Sequence, residues 1–130
     1  MKPIFADEKH ESIYNECLQK MKCDDGYHQV VAYLLGLDVV LREHIEDVFD
    51  FEEDGIKPKT ALNHPWQTGT SRKTTRLLMN LWNGCVEDYD EYGEGHVSYY
   101  YAVDEIFDTD YAPYYWEAIK LRFPFYTRLR

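Results

Sequence analysis

The stretch "HPWQTGTSRKTTRLLMNLWNG", residues 64–84, decides how the rest of the chain is read. Its second half spaces Leu77, Leu78, Leu81 and Trp82 along one helical face, and Gly84 follows as a stop. Ser71 or Thr70 can cap the front, because a hydroxyl there accepts from a first-turn N–H that has no partner inside the helix. The segment reads as a helix entered through a turn of Thr, Ser, Arg and Lys. Ahead of it, Trp66 fits a staple against Leu77 or Leu78, and Gln67 a partner for loop backbone groups.

The basic turn supports two readings. A helix start presents free N–H groups and the positive end of the helix dipole. Trp66, Thr68, Gly69, Thr70, Ser71, Arg72 and Arg76 therefore make a candidate anion site, with Trp66 stacking on a base or ring and Lys73 and Thr74 beside them. Against this, a phosphate loop needs a second glycine just before its lysine and a strand ahead of it. Here Arg72 holds that place after a loop. Cations in a first turn also oppose the dipole by roughly 0.3–1 kcal/mol each, so internal carboxylates paired with them are the plainer account.

Working outward, Asp7 can cap a first helix that carries Ile13, Tyr14, Cys17, Leu18 and Met21 on one face. Asp24 or Asp25 can cap a second, with Val30, Val31, Leu34 and Leu35 inward and Gly36 as its end. "DVVLREHIEDVF" from Asp38 keeps helical spacing through Val40, Leu41, His44, Ile45 and Val48 and predicts a third. Residues 50–66 read as a loop with room for a short turn of helix, and "EDYDEYGEG" at 87–95 reads as a second loop. Ser98 can cap a fifth helix through Tyr100, Val103, Ile106 and Phe107, and Pro113 suits the first turn of a sixth that Pro124 ends. The expectation is an all-α fold, a single compact domain of five to six helices over residues 1–130.

Composition narrows the function. Hydrophobic residues make up 45% of the chain, too many for a disordered acidic tail. The 24 acids against 14 bases leave a net charge of −10, which disfavours bare nucleic acid and anionic membrane as partners. No apolar run is long enough to span a bilayer, and "MKPIFADEKH" lacks the core of a secretory signal. Three cysteines, an odd number, fit reduced thiols in a cytoplasmic protein.

No metal, cofactor or catalytic centre is expected. Asp88, Asp90 and Gly93 begin like a calcium loop, but Tyr92 and Tyr99 stand where ligands five and twelve belong. Cys17, Cys23 and His28 lack the paired short spacings of a zinc site, and His44 with Glu43 and Asp47 reads as a satisfied helical histidine. Cys17 and Cys85 on apolar faces behave as small hydrophobes. No nucleophile elbow or glycine-rich dinucleotide turn is present.

The acids are unevenly placed. Residues 43–54 carry seven and residues 87–110 carry nine, with no Lys or Arg in either window. Tyr89, Tyr92, Tyr99, Tyr100, Tyr101 and Tyr111 interleave with the second set. Acid with exposed Tyr suits a protein-binding face, since Tyr gives a large rigid contact at small entropic cost. A solvated face is the bland alternative. Glu46, Asp47, Asp50, Glu52, Glu53 and Asp54 form one candidate partner-binding patch, and Asp88, Asp90, Glu91 and Glu94 another. The C-terminal "IKLRFPFYTRLR" is basic and fits internal neutralisation or contact with a second copy.

"WQTGTSRKTTRLLMNLWNG" and "IFDTDYAPYYWEAIKLRFP", with "DEKHESIYNECL" at the front, resemble segments of an uncharacterised family of small bacterial proteins, a domain of unknown function often encoded near phage or mobile elements. The resemblance implies a shared framework, with the acidic loop at 87–95 as an individual elaboration. It implies no reaction, and it favours an inhibitor or decoy acting on a host-defence protein. The leading expectation is a non-enzymatic protein that binds a cationic partner, itself a nucleic-acid-binding or defence protein. A phosphate-binding protein or enzyme built on residues 68–76 is the alternative, and a homodimer through the Tyr-rich last helices is a third.

Overall fold

In the computed structural model, which describes residues 2–129, the least polar segment sits at the centre. Helix α2 (Gly26–Leu37) buries Val30, Val31, Ala32, Tyr33, Leu34 and Leu35 completely. A helix apolar on all sides belongs inside, and each buried Val or Leu side chain contributes about 1.5–3 kcal/mol when removed from water. Helices α1 (Glu8–Lys20), α3 (Gly69–Asn83) and α5 (Ala112–Arg122) pack around it. A one-turn helix α4 (Val103–Ile106) lies against α3. Among the described residues no helix is long and apolar enough to cross a membrane.

The caps follow the sequence at two helices. Asp7 accepts from the His10 N–H at 2.7 Å, and Asp25 accepts from the His28 N–H at 3.0 Å. At α3 the cap is Thr68, earlier than Thr70 or Ser71. Thr68 Oγ1 accepts from Ser71 N at 3.0 Å while Ser71 Oγ accepts from Thr68 N at 2.7 Å, a reciprocal capping box that draws Gly69 and Thr70 into the first turn. Gly84 ends α3 at φ 79° as read, and Pro113 stands in the first turn of α5.

Gly36 does not end α2. It lies inside the helix where α1 crosses, and a Cβ there would stand 3.0 Å from Ile13 Cγ2 and 3.1 Å from His10 O. Its smallness sets the helix spacing.

The fold is mostly helical rather than all-α, because two antiparallel hairpins interrupt it. The third helix expected over 38–49 is instead two 3-10 turns, Leu41–Glu43 and Ile45–Asp47, running into a short strand. Asp38, 2% exposed, accepts from Val40 N and Leu41 N. Arg42 turns back to the Gly36 and Leu37 carbonyls, and His44 leaves helical geometry at φ −138°. Crowding at the β-branched Val39, Val40, Ile45 and Val48 makes this break cheap.

Strand β1 (Phe49–Asp50) then pairs with β2 (Gly55–Ile56). Residues 87–95, read as a loop, hold most of a second hairpin, β3 (Glu87–Tyr89) with β4 (Gly95–Val97). The helix expected from Ser98 is a 3-10 turn over Tyr99–Tyr101, separated from α4 by extended Ala102 at ψ 150°. Tyr101 holds this turn down by donating to Glu87 O at 3.1 Å.

Candidate functional site

The second acidic set is built on the β3–β4 hairpin. Asp90 shapes its tip: Oδ1 accepts from Tyr92 N at 2.9 Å and Glu94 N at 3.0 Å, and Gly93 takes φ 79°. Asp90 Oδ2 meets His96 Nε2 at 3.0 Å, and that bond raises the His96 pKa while it lowers that of Asp90. Asp88 points at α3, where Arg76 Nε and Nη2 hold its two oxygens at 3.1 and 3.0 Å. Asp88 and Asp90 are thus part of the scaffold. Glu91 and Glu94 are exposed and join no ion pair among the described residues. In the same stretch of chain Tyr92 (84% exposed), Val97 (81%), Tyr99 (69%) and Val103 (72%) also face solvent, as does Tyr100, and Asp104 accepts from Tyr99 Oη. The sequence pointed to these tyrosines and acids; it missed Val97 and Val103, which only the turn and hairpin bring outward.

The first acidic set divides in the same way. Asp50 Oδ1 accepts from the N–H groups of Glu52 and Glu53, closing the β1–β2 turn. Asp47 accepts from Trp66 Nε1 at 2.9 Å. Trp66 stacks on His44 (ring centroids 4.4 Å apart, 6° between planes) and on His64 (5.8 Å, 15°). Asp54 bonds His28. Only Glu46, Glu52 and Glu53 of this set face solvent freely. A cleft of about 430 Å³ runs beside Glu43, Glu46, Asp47 and His44, with Cys17 among its walls. Burial pushes the Cys17 thiol up to about 11, so it is no nucleophile at neutral pH.

The basic turn is heavily committed. Besides holding Asp88, Arg76 lies over the Tyr100 ring at 4.9 Å. Arg72 donates to Leu62 O at 3.2 Å and Lys73 to Glu105 O. Thr68 and Ser71 spend their hydroxyls on the cap, and Gln67 donates to Ala61 O at 3.0 Å and Thr75 Oγ1 at 3.1 Å. A cleft of about 300 Å³ remains, lined by Gly69, Arg72, Lys73, Arg76, Tyr100 and Glu105. Trp66 is not part of it, so the seven residues of the sequence-based anion site do not converge.

Cys23 and His28, set aside in the sequence for want of zinc-site spacing, come together in the fold with Asp25. Cys23, Asp25 and His28 bring a thiol, a carboxylate oxygen and a ring nitrogen within 4.8 Å of one another. His28 is 5% exposed; its Nδ1 meets Asp25 Oδ1 at 2.7 Å and its Nε2 meets Asp54 Oδ1 at 2.9 Å. Burial works to lower the His28 pKa, but the bonds and charges of Asp25 and Asp54 outweigh it and raise it. The spacing Cys-x-Asp-x-x-His was legible in the sequence. The fourth member was not, because it arrives from a hairpin 26 residues away.

No curated protein and no solved structure matches the chain. A family model matches it along residues 1–130, and the chain belongs to DUF6075, a family of unknown function.

Proposed function

We propose that this protein is a non-enzymatic binding module whose β3–β4 hairpin and Tyr99–Asp104 segment engage a cationic protein partner. One observation carries the reading: Tyr92, Val97, Tyr99 and Val103 are all more than two-thirds exposed within the same stretch, 91–104, that carries the exposed Glu91, Glu94 and Asp104. Large exposed apolar groups gathered together mark contact surfaces, and unneutralised carboxylates at their rim steer a positive partner and reject a negative one. Asp88 and Asp90 hold the scaffold, so Glu91, Glu94 and Asp104 are the hairpin and turn acids left for a partner to meet. Carboxylates presented in this way also compete with phosphates for a basic groove, which is how an inhibitor or decoy of a nucleic-acid-binding or host-defence protein would act.

Titrating isotope-labelled protein with an oligolysine peptide tests the location. Shifts centred on Glu91, Glu94, Tyr99 and Asp104 that fade at high salt are the expected outcome, because exposed charges are screened beyond about 8 Å at physiological ionic strength. Shifts centred on residues 46–54, or spread over all exposed acids, would contradict it.

The cleft at the start of α3 supports a second reading, a small anion held between Arg72 and Lys73 near the Gly69 end of the helix. Thermal stabilisation by phosphorylated compounds, lost in Lys73→Ala, is its test; no response across such compounds would remove it.

A further inference from the structure

We propose that Cys23, Asp25 and His28 form a binding site for a thiophilic divalent cation, zinc foremost. The three donors come from one short stretch that links α1 to the first turn of α2, and their ligand atoms already lie within 4.8 Å of one another. A tetrahedral zinc with bonds of 2.0–2.3 Å needs ligand atoms about 3.3–3.8 Å apart. Cys23 is exposed on the linker and closes that gap by a side-chain movement. Asp25 Oδ1 and His28 Nδ1 stand 2.7 Å apart across a shared proton, so a metal that displaces the proton requires the exposed Asp25 carboxylate to draw back to about 3.3 Å.

The surroundings are those of a ligating histidine. When one ring nitrogen binds a metal, the other usually donates to a carboxylate that fixes the ring and raises its basicity. His28 Nε2 has Asp54 at 2.9 and 3.0 Å. Asp54 reaches it from the β1–β2 turn at φ 58°, and among the described residues it is the single non-glycine with positive φ. The ring itself is almost wholly buried, stacked edge-on to Trp82 at 5.0 Å, so it cannot swing away.

A thiolate, an imidazole and a carboxylate together favour zinc or cobalt over magnesium or calcium. Three protein ligands leave a fourth position for water, or for a donor from another molecule. Asp90, Glu94 and His96 also gather donor atoms within 4.8 Å. That group has no thiol, and its histidine is exposed, so it serves as the internal control. The metal site stands independently of the hairpin surface.

The test is titration of the reduced full chain with Co²⁺ and then Zn²⁺. One equivalent of Co²⁺ should give near-ultraviolet thiolate charge transfer and tetrahedral visible bands, which Zn²⁺ then displaces. Cys23→Ser should abolish the charge-transfer band while circular dichroism stays unchanged, and Asp54→Asn should weaken binding about 10–100-fold. His96→Ala should leave the spectrum intact, and Zn²⁺ should shield Cys23 from maleimide. Absence of saturable binding, bands that survive Cys23→Ser, or bands lost in His96→Ala would each overturn the proposal.

Discussion

Arg76 of α3 holds Asp88 of β3 through both carboxylate oxygens, at 3.1 and 3.0 Å, and this pair ties the outer hairpin to the helical core. The Arg76 side chain is 11% exposed and that of Asp88 32%, so water screens the pair only in part. A two-pronged charge-assisted bond of this kind is worth about 1.5–3 kcal/mol, at the lower end given the exposure of Asp88. Arg76→Ala should lower stability by about 2 kcal/mol and speed amide exchange in residues 87–97 more than in α2. Uniform acceleration across the chain would show that the pair does not anchor the hairpin locally.

His10 should resist protonation. It is fully buried; Nδ1 accepts from Ala6 N at 3.0 Å and Nε2 faces Tyr33 O at 2.8 Å, which suits only the neutral ring. Burial leads the causes that lower its pKa, against the pull of Tyr33 O and Asp7. A depressed folded pKa means that the unfolded chain binds the proton first. The His10 contribution is therefore complete above the unfolded value near 6.5 and is lost as pH falls through the folded one. In an NMR pH titration the His10 ring should titrate below 6.5; a midpoint at or above 6.5 would refute the assignment.

Cys17 and Cys23 should differ sharply in reactivity. Cys17 is 3% exposed with its thiol pushed up to about 11, whereas Cys23 lies on the surface. Maleimide at neutral pH should modify Cys23 in the native protein and Cys17 only with unfolding. Equal rates would mean that α1 opens readily.

Gly36→Ala sets two effects against each other. Replacing a helix-interior glycine ordinarily stabilises by up to about 1 kcal/mol. Here the new methyl meets Ile13 Cγ2 at 3.0 Å and the backbone oxygen of His10 at 3.1 Å. Ile13 can shift, but the carbonyl moves only with α1, and overpacking costs typically about 1–3 kcal/mol. A net loss near 1 kcal/mol in denaturant unfolding is expected; a gain would show that α1 moves freely.

The long helices were legible because their caps and apolar spacing agree: Asp7, Asp25, Gly84 and Pro113 stand at or beside the ends they mark. The segment after Asp38 misled because the same apolar spacing serves 3-10 turns, and the deciding contact, Arg42 to the Gly36 carbonyl six residues back, is a side-chain bond that apolar spacing does not reveal. The hairpin at 87–97 escaped because its turn is organised by the Asp90 side chain rather than by a familiar Asn-Gly pair. At the candidate surface the sequence identified acids and tyrosines but could not tell free from committed ones. Asp88 and Glu91 look alike in the sequence, and only Arg76 separates them.

The hairpin surface is tested most directly by affinity capture with three forms of the full chain, quantified at low and high salt. These are the native protein, Glu91→Lys/Glu94→Lys/Asp104→Lys, and Glu46→Lys/Glu52→Lys/Glu53→Lys. The account predicts a basic protein partner that the native chain and the second variant capture, that the first variant loses, and that salt releases. Capture of the same partner by the first variant, or its loss from the second alone, would contradict it.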